Sequence, residues 1–195
     1  MSFFKVLLIG DSATGKTSLA HRLVQNSFAE TYRATLGCEF SLKIVEVAGV
    51  PLRVQLWDIA GQDRVAALNR IYCRDAAGAL VVCDLTRPGS LERVSDWRRS
   101  VEEQSPGLPM ILCCNKLDLM RGAWTDLRTR CETLSEQLGF KHCCFVSAKT
   151  GDGAGEALSC LVAEIWSGKE RKSPPDETQS VKLSADGQVP RRCRC

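Results

Sequence analysis

The chain has 195 residues, 44% hydrophobic and 25% charged, enough for one well-buried core with nothing to suggest a second. Its formal net charge is +3, all of it carried by residues after 168, so the body is neutral and lacks the basic surface that general nucleic-acid binding needs. No run approaches the roughly 18 apolar residues of a transmembrane helix. The 11 cysteines follow an N-terminus, Met1-Ser2-Phe3-Phe4-Lys5, with no signal-peptide layout, so a chain kept in the reducing cytosol is expected.

A strand is predicted near 3–9. It leads into Gly10-Asp11-Ser12-Ala13-Thr14-Gly15-Lys16-Thr17, which fits G-x-x-x-x-G-K-[ST] and precedes a helix-like run from Ser18 to Val24. A glycine-rich turn at a helix N-terminus turns backbone N–H groups and a positive dipole end toward an anion. Gly10 and Gly15 are read as letting the chain approach phosphates with no Cβ in the way, and Ser12, Ala13, Thr14 and Ser18 as completing the cradle. Lys16 would reach the β- and γ-phosphates, while Thr17 Oγ1 would ligate Mg²⁺.

Thr35, between this helix and the second strand, is a candidate second hydroxyl ligand of the same ion. Runs near 39–47 and 52–58, joined through Val47-Ala48-Gly49-Val50-Pro51, read as an antiparallel hairpin at a sheet edge. Leu52, Val54 and Leu56 share one face, which leaves Arg53, Gln55 and Trp57 on the other, with Trp57 a candidate anchor for a partner. Phe40 is in phase with Leu42 and Ile44, so core packing and recognition both stay open for it. In Trp57-Asp58-Ile59-Ala60-Gly61-Gln62, Asp58 is placed to hold the ion, Gly61 to give its N–H to a γ-phosphate, and Gln62 to orient the attacking water.

A strand near 77–84 is followed by helical spacing of Leu91, Val94, Trp97 and Val101, with Pro88 at an early helical position. The strand near 109–115 closes on Asn115-Lys116-Leu117-Asp118. There Asp118 would accept two hydrogen bonds from the guanine ring N–H and exocyclic amine, a pair that adenine lacks, and Lys116 would lay its stem along the base. Leu127, Cys131, Leu134 and Leu138 mark another helix, stopped by Gly139. The strand near 141–146 ends in Ser147-Ala148-Lys149, whose backbone could meet the guanine carbonyl. A last helix carries Leu158, Leu161, Val162 and Ile165, and Cys113, Cys114, Cys143 and Cys144 read as small core hydrophobes. The alternation predicts an α/β fold over 1–167: six strands, mostly parallel, with one antiparallel edge strand and helices on both faces. Residues 168–195 read as a flexible basic tether.

These motifs, in this order, resemble the small GTPase superfamily. Leu36-Gly37-Cys38-Glu39-Phe40, Arg53-Val54-Gln55-Leu56-Trp57-Asp58, Tyr72-Cys73-Arg74-Asp75-Ala76 and Leu80-Val81-Val82-Cys83-Asp84-Leu85-Thr86 resemble its Rab family. The resemblance spans residues 4–167 and implies a P-loop G domain cycling between GDP and GTP with slow, activator-dependent hydrolysis, in which Lys16, Gly61 and Gln62 serve catalysis. It implies that Phe28 packs on the guanine, that segments near 30–40 and 60–75 order around the γ-phosphate, and that Phe40, Trp57 and Tyr72 form an aromatic effector triad. Implied partners are effectors, an exchange factor, an activating protein, a GDP-dissociation inhibitor and a prenylation escort. The end Cys193-Arg194-Cys195 resembles the doubly geranylgeranylated Rab terminus, which implies lipid anchoring to the cytoplasmic side of intracellular membranes and a cytosolic pool. Ile59 is similar to a subgroup linked to lysosome-related organelles. Cys73, Asp75 and Val65 depart from the commoner Tyr, Gly and aromatic residue, and Ser12 and Ala13 stand where Ras-like relatives have Gly. A binding module with little hydrolysis is the alternative on the same fold.

Overall fold

A computed structural model describes residues 3–31, 33–61, 70–122 and 124–172. In chain order the elements are β1 (Phe3–Ile9), α1 (Lys16–Gln25), β2 (Cys38–Val47), β3 (Val50–Ile59), α2 (Arg70–Cys73), β4 (Ala76–Asp84), α3 (Pro88–Glu92), α4 (Val94–Gln104), β5 (Met110–Asn115), α5 (Thr125–Gln137), β6 (Cys143–Phe145) and α6 (Ala154–Lys172), with a 3₁₀ turn at Leu117–Leu119. The sheet order is β2-β3-β1-β4-β5-β6, parallel throughout except for the antiparallel β2–β3 pair.

The hairpin between β2 and β3 closes on Ala48 and Gly49, with φ of 50° and 78°. Two consecutive positive φ values give a turn whose twist matches the flanking strands. Pro88 occupies the first turn of α3, where its missing N–H leaves no bond unmade. Gly139, at φ 70°, ends α5: its N–H bonds Glu136 O, and Phe140 N–H bonds Ser135 O. That paired closure satisfies carbonyls which a helix end otherwise orphans.

The sheet divides the interior into two cores. Leu8, Leu56, Leu80 and Ile111 face α1 and α6, whereas Leu7, Ile9, Val81 and Leu112 meet α3, α4 and α5 through Leu91, Trp97, Val101 and Cys131. Cys113 and Cys114 are fully buried, and burial raises the Cys113 thiol well above its ordinary range. Gly78, mid-strand in β4, lets α6 come close: a Cβ there would lie 2.8 Å from Ile165 Cδ1 and 3.0 Å from Leu161 Cδ1.

α6 runs to Lys172, into the stretch expected to be tether from 168. Its last turns have contacts that polarity alone did not reveal. Trp166 meets the Phe4 ring edge-on at 6.5 Å, and Lys169 Nζ lies 5.5 Å from the same ring. Asp75 adopts φ 58°, a conformation that explains the family's usual glycine there and that Asp tolerates. Cys73 is buried, 1% exposed, against the second core. Among the described residues no helix is long and apolar enough to cross a membrane.

Leu161 is fully buried on the α6 face that crosses Gly78. Leu161→Ala is expected to cost about 2–5 kcal/mol, measured by denaturant unfolding at a fixed GDP concentration so that ligand linkage is constant.

Candidate functional site

The loops after β1, β3, β5 and β6 open at the carboxyl edge of the sheet, where ligands of such folds bind. They enclose a cavity of about 910 Å³, lined among others by Lys16, Thr17, Phe28, Thr35, Asn115 and Asp118. Ser12, Ala13, Gly15, Ser18, Gly61, Lys116, Ala148 and Lys149 border it as well. Thr14 and Ser147 do not. Both are fully buried and turned inward, Thr14 Oγ1 donating to Asp11 O at 3.0 Å and Ser147 Oγ to Asp118 Oδ1 at 2.6 Å.

The glycines of the phosphate loop are also required by the protein's own packing. A Cβ on Gly10, whose φ is 139°, would lie 2.1 Å from Val82 O, and one on Gly15, at φ 92°, would lie 2.3 Å from Asn115 Nδ2. Beside the expected role of clearing room for phosphate, both glycines thus let the loop pack closely on β4 and β5. Ala13 takes φ 57°, a strained value for a residue with a Cβ. Lys16 Nζ donates to Gly10 O at 2.9 Å and Asp11 O at 2.8 Å. Burial lowers its pKa to about 8 against the opposing pull of Asp58 and Asp11. Gly61 backs directly onto this ammonium, since a Cβ there would lie 2.3 Å from Lys16 Nζ.

Thr17, Thr35 and Asp58 meet at one point. Thr17 Oγ1 is 2.7 Å from Thr35 Oγ1 and 2.5 Å from Asp58 Oδ2. Asp58 Oδ1 is buried and has no hydrogen-bond partner among the described residues. Burial raises the Asp58 pKa, partly offset by the Thr17 hydrogen bond and by Lys16. Two hydroxyls and a carboxylate, one of whose oxygens is buried and unbonded, suit a small hard cation.

Asn115 lines the cavity and is itself held by two loops. Its Nδ2 donates to Thr14 O at 2.8 Å and its Oδ1 accepts from Ala148 N at 3.1 Å, so it ties the phosphate loop to the loop after β6. Lys116, at φ 69°, ion-pairs with Asp84 at 2.7 Å. Burial alone would raise the Asp84 pKa, but bonds from Lys116 and Thr86 hold it below the ordinary carboxylate range.

Several supporting residues were not anticipated. Arg22 of α1 donates to Ala148 O at 3.0 Å, Lys149 O at 2.6 Å and Asn26 O at 2.9 Å, clamping the 147–149 loop to the helix that starts at the phosphate loop. Asp11 accepts from Trp97 Nε1 at 2.7 Å and pairs with Arg93 at 3.1 Å, while Arg87 donates to Ser12 O at 2.7 Å. A buried acid ending a central strand signals Asp84, yet a mid-helix arginine gives no such cue.

Phe40, 65% exposed, stacks on Trp57 with centroids 6.1 Å apart, and Leu42 and Ile44 are exposed beside it, so core packing is ruled out for Phe40. Lys5 Nζ sits 4.0 Å over the Trp57 ring. Tyr72 packs half-buried against the second core. Gln62, Arg64, Val65, Cys193 and Cys195 lie outside the described residues.

Lys16 supplies a pH test with a defined sign. A bound phosphate chain raises the Lys16 pKa above its free-site value of about 8, so binding takes up a proton at higher pH. GDP affinity should be level below pH 8 and fall above it by up to about tenfold per pH unit. Calorimetry at pH 7 and pH 9 checks this, and equal affinities would remove the buried ammonium from phosphate binding.

A family model described as the Ras family matches residues 5–167. Among curated proteins, the Ras-related protein Rab-32C of Dictyostelium discoideum is 36% identical over 94% of this chain and 81% of its own length. Rab-7L1 of Rattus norvegicus is 32% identical over 90% and 88%, and Rab-13 of Mesocricetus auratus 34% over 92% and 89%. With the cavity, its phosphate loop and its base-side acid already in place, the chain belongs to the Ras family and, within it, to the Rab small GTPases, proteins that bind and hydrolyse GTP.

Proposed function

We propose that the chain is a lipid-anchored switch that holds GTP with Mg²⁺, presents its β2–β3 face to effectors in that state, and withdraws it after slow hydrolysis. The carrying observation is the convergence of Thr17, Thr35 and Asp58, because Thr35 belongs to the segment that leads straight into β2 and Phe40. Mg²⁺, held by Thr17, Thr35 and Asp58, would neutralise charge on the β- and γ-phosphates. Lys16 supplies a second positive charge there, and the Gly61 N–H closes on the γ-phosphate. Asp118, with Ser147 hydrogen-bonded to it, reads the guanine edge, and Ala148 and Lys149 complete the base side, held from behind by Arg22. Phe28 packs on the base, and Gln62 orients the water.

Arg87 is engaged by Asp84 and Ser12 O, and Arg93 by Asp11, so neither is free to act on the phosphates, while Arg33 borders the cavity from an exposed position two residues before Thr35. Intrinsic turnover is therefore set on the order of 10⁻⁴ to 10⁻³ per second, as in Ras-like proteins, and an activating protein supplies the rest. An exchange factor reloads the site. Lipidated Cys193 and Cys195, together with a dissociation inhibitor and a prenylation escort, apportion the protein between membrane and cytosol, in service of vesicle traffic.

In single-turnover assays Gln62→Leu should hydrolyse bound GTP at least tenfold more slowly than the unaltered chain while keeping its affinity. Equal rates would take Gln62 out of the mechanism, and phosphate release from neither protein, even with an activator, would favour a binding module. The pair Cys193→Ser with Cys195→Ser should move the protein from membranes to the soluble fraction in cells, since two chains are what makes such anchoring stable. Undiminished membrane recovery would remove the lipid anchor.

A further inference from the structure

β2 forms the outer edge of the sheet: β3 pairs with one side of it, and no described element pairs with the other. This edge is ten residues long, and its exposed face carries Phe40, Leu42 and Ile44 at 65%, 58% and 61% exposure. A long, open, apolar edge strand is a template for pairing with another strand. We propose that β2 is a self-association surface on which two copies pair antiparallel about a two-fold axis at Ser41, joining their sheets into one.

The register follows from ladder geometry and charge. In an antiparallel pair, opposed residues must both point their backbone groups into the new ladder or both away, and this alternates along the strand. The two-fold axis must therefore pass through a residue, not between two. Axes at Glu39, Lys43 or Glu46 would set a like-charged residue against itself. Axes at Phe40, Leu42, Ile44 or Val45 bring no opposite charges together. The axis at Ser41 alone sets Glu39 of each copy opposite Lys43 of the other, twice over, and on the other face sets Phe40 opposite Leu42 and Cys38 opposite Ile44. Among the described residues neither Glu39 nor Lys43 has an ion pair within its own chain, so both are available. The face rule agrees as well, because both charges lie on the odd-numbered side and the exposed apolar residues on the even-numbered one.

The contact spans residues 38–44 of each copy, below the roughly 800 Å² per partner of a standard stable interface, so a weak and reversible dimer is expected. Sedimentation equilibrium of the full, GDP-loaded chain from about 10 μM to 1 mM reads it directly. The unaltered chain should show a monomer–dimer equilibrium. Glu39→Lys or Lys43→Glu alone turns both ion pairs into like-charge pairs and should weaken association about tenfold or more. Glu39→Lys combined with Lys43→Glu restores both pairs and should recover the original association. Bound GDP, measured for each variant, reports an intact domain. A monomer at every concentration, association unmoved by the single changes, or failure of the double variant to recover would each overturn the proposal.

Discussion

The site depends on one buried amide. Asn115 ends β5, 1% exposed, and its two polar atoms reach in opposite directions, to Thr14 O in the phosphate loop and to Ala148 N in the loop after β6. Two loops far apart in sequence are thus spaced by one side chain of fixed length. A carboxylate could not donate to Thr14 O, and a longer amide would push the loops apart. Gly15 is part of the same device, since a Cβ on it would collide with Asn115 Nδ2. The phosphate end and the base end of the cavity are therefore spaced by the protein's own bonds, a bracing that lowers the ordering cost of binding.

Around this bridge lies a second layer that never touches the cavity. Arg22 holds the Ala148 and Lys149 carbonyls, Asp84 holds Lys116, and Trp97 with Arg93 holds Asp11. Each links a loop at the sheet edge to a helix or strand that the cores already fix. Loops alone are mobile; loops bonded from behind behave as parts of the scaffold.

This division explains how much the sequence disclosed. Strands and helices were legible because continuous apolar runs and the 3.6-residue spacing of Leu91, Val94, Trp97 and Val101 are direct consequences of burial. Lys16, Thr17 and Asp118 stand out in the sequence because nucleotide binding would demand those residue types at those places, and all three border the cavity. Gly10 was legible from the loop motif, but a further constraint on it was not: Val82 O leaves no room for a Cβ, a contact across the sheet that no local pattern encodes. Arg22 was hidden for the same cause, as its partners lie more than a hundred residues away. The end of α6 was misplaced because Lys169 looks solvated in sequence, whereas its ammonium rests over the Phe4 ring.

The phosphate end of the cavity is also physically coupled to the β2–β3 edge. Asp58 is a buried carboxylate with one oxygen unpartnered, and Lys16 is a buried ammonium facing carbonyls, so this end of the site holds charge that its own surroundings satisfy incompletely. A ligand that completes those interactions stabilises whichever loop conformation brings Thr35 to Thr17. Thr35 lies two residues before Gly37, whose carbonyl accepts from Ala60 N at 2.9 Å, and three before Cys38, where β2 begins its pairing with Ile59. Phe40 follows on the exposed side, stacked on Trp57, one residue before the buried Asp58. The chain from Thr35 to Phe40 and the chain from Trp57 to Gly61 are thus laced together by backbone bonds. A change at the phosphate end is therefore coupled through both chains to the exposed aromatic pair they carry.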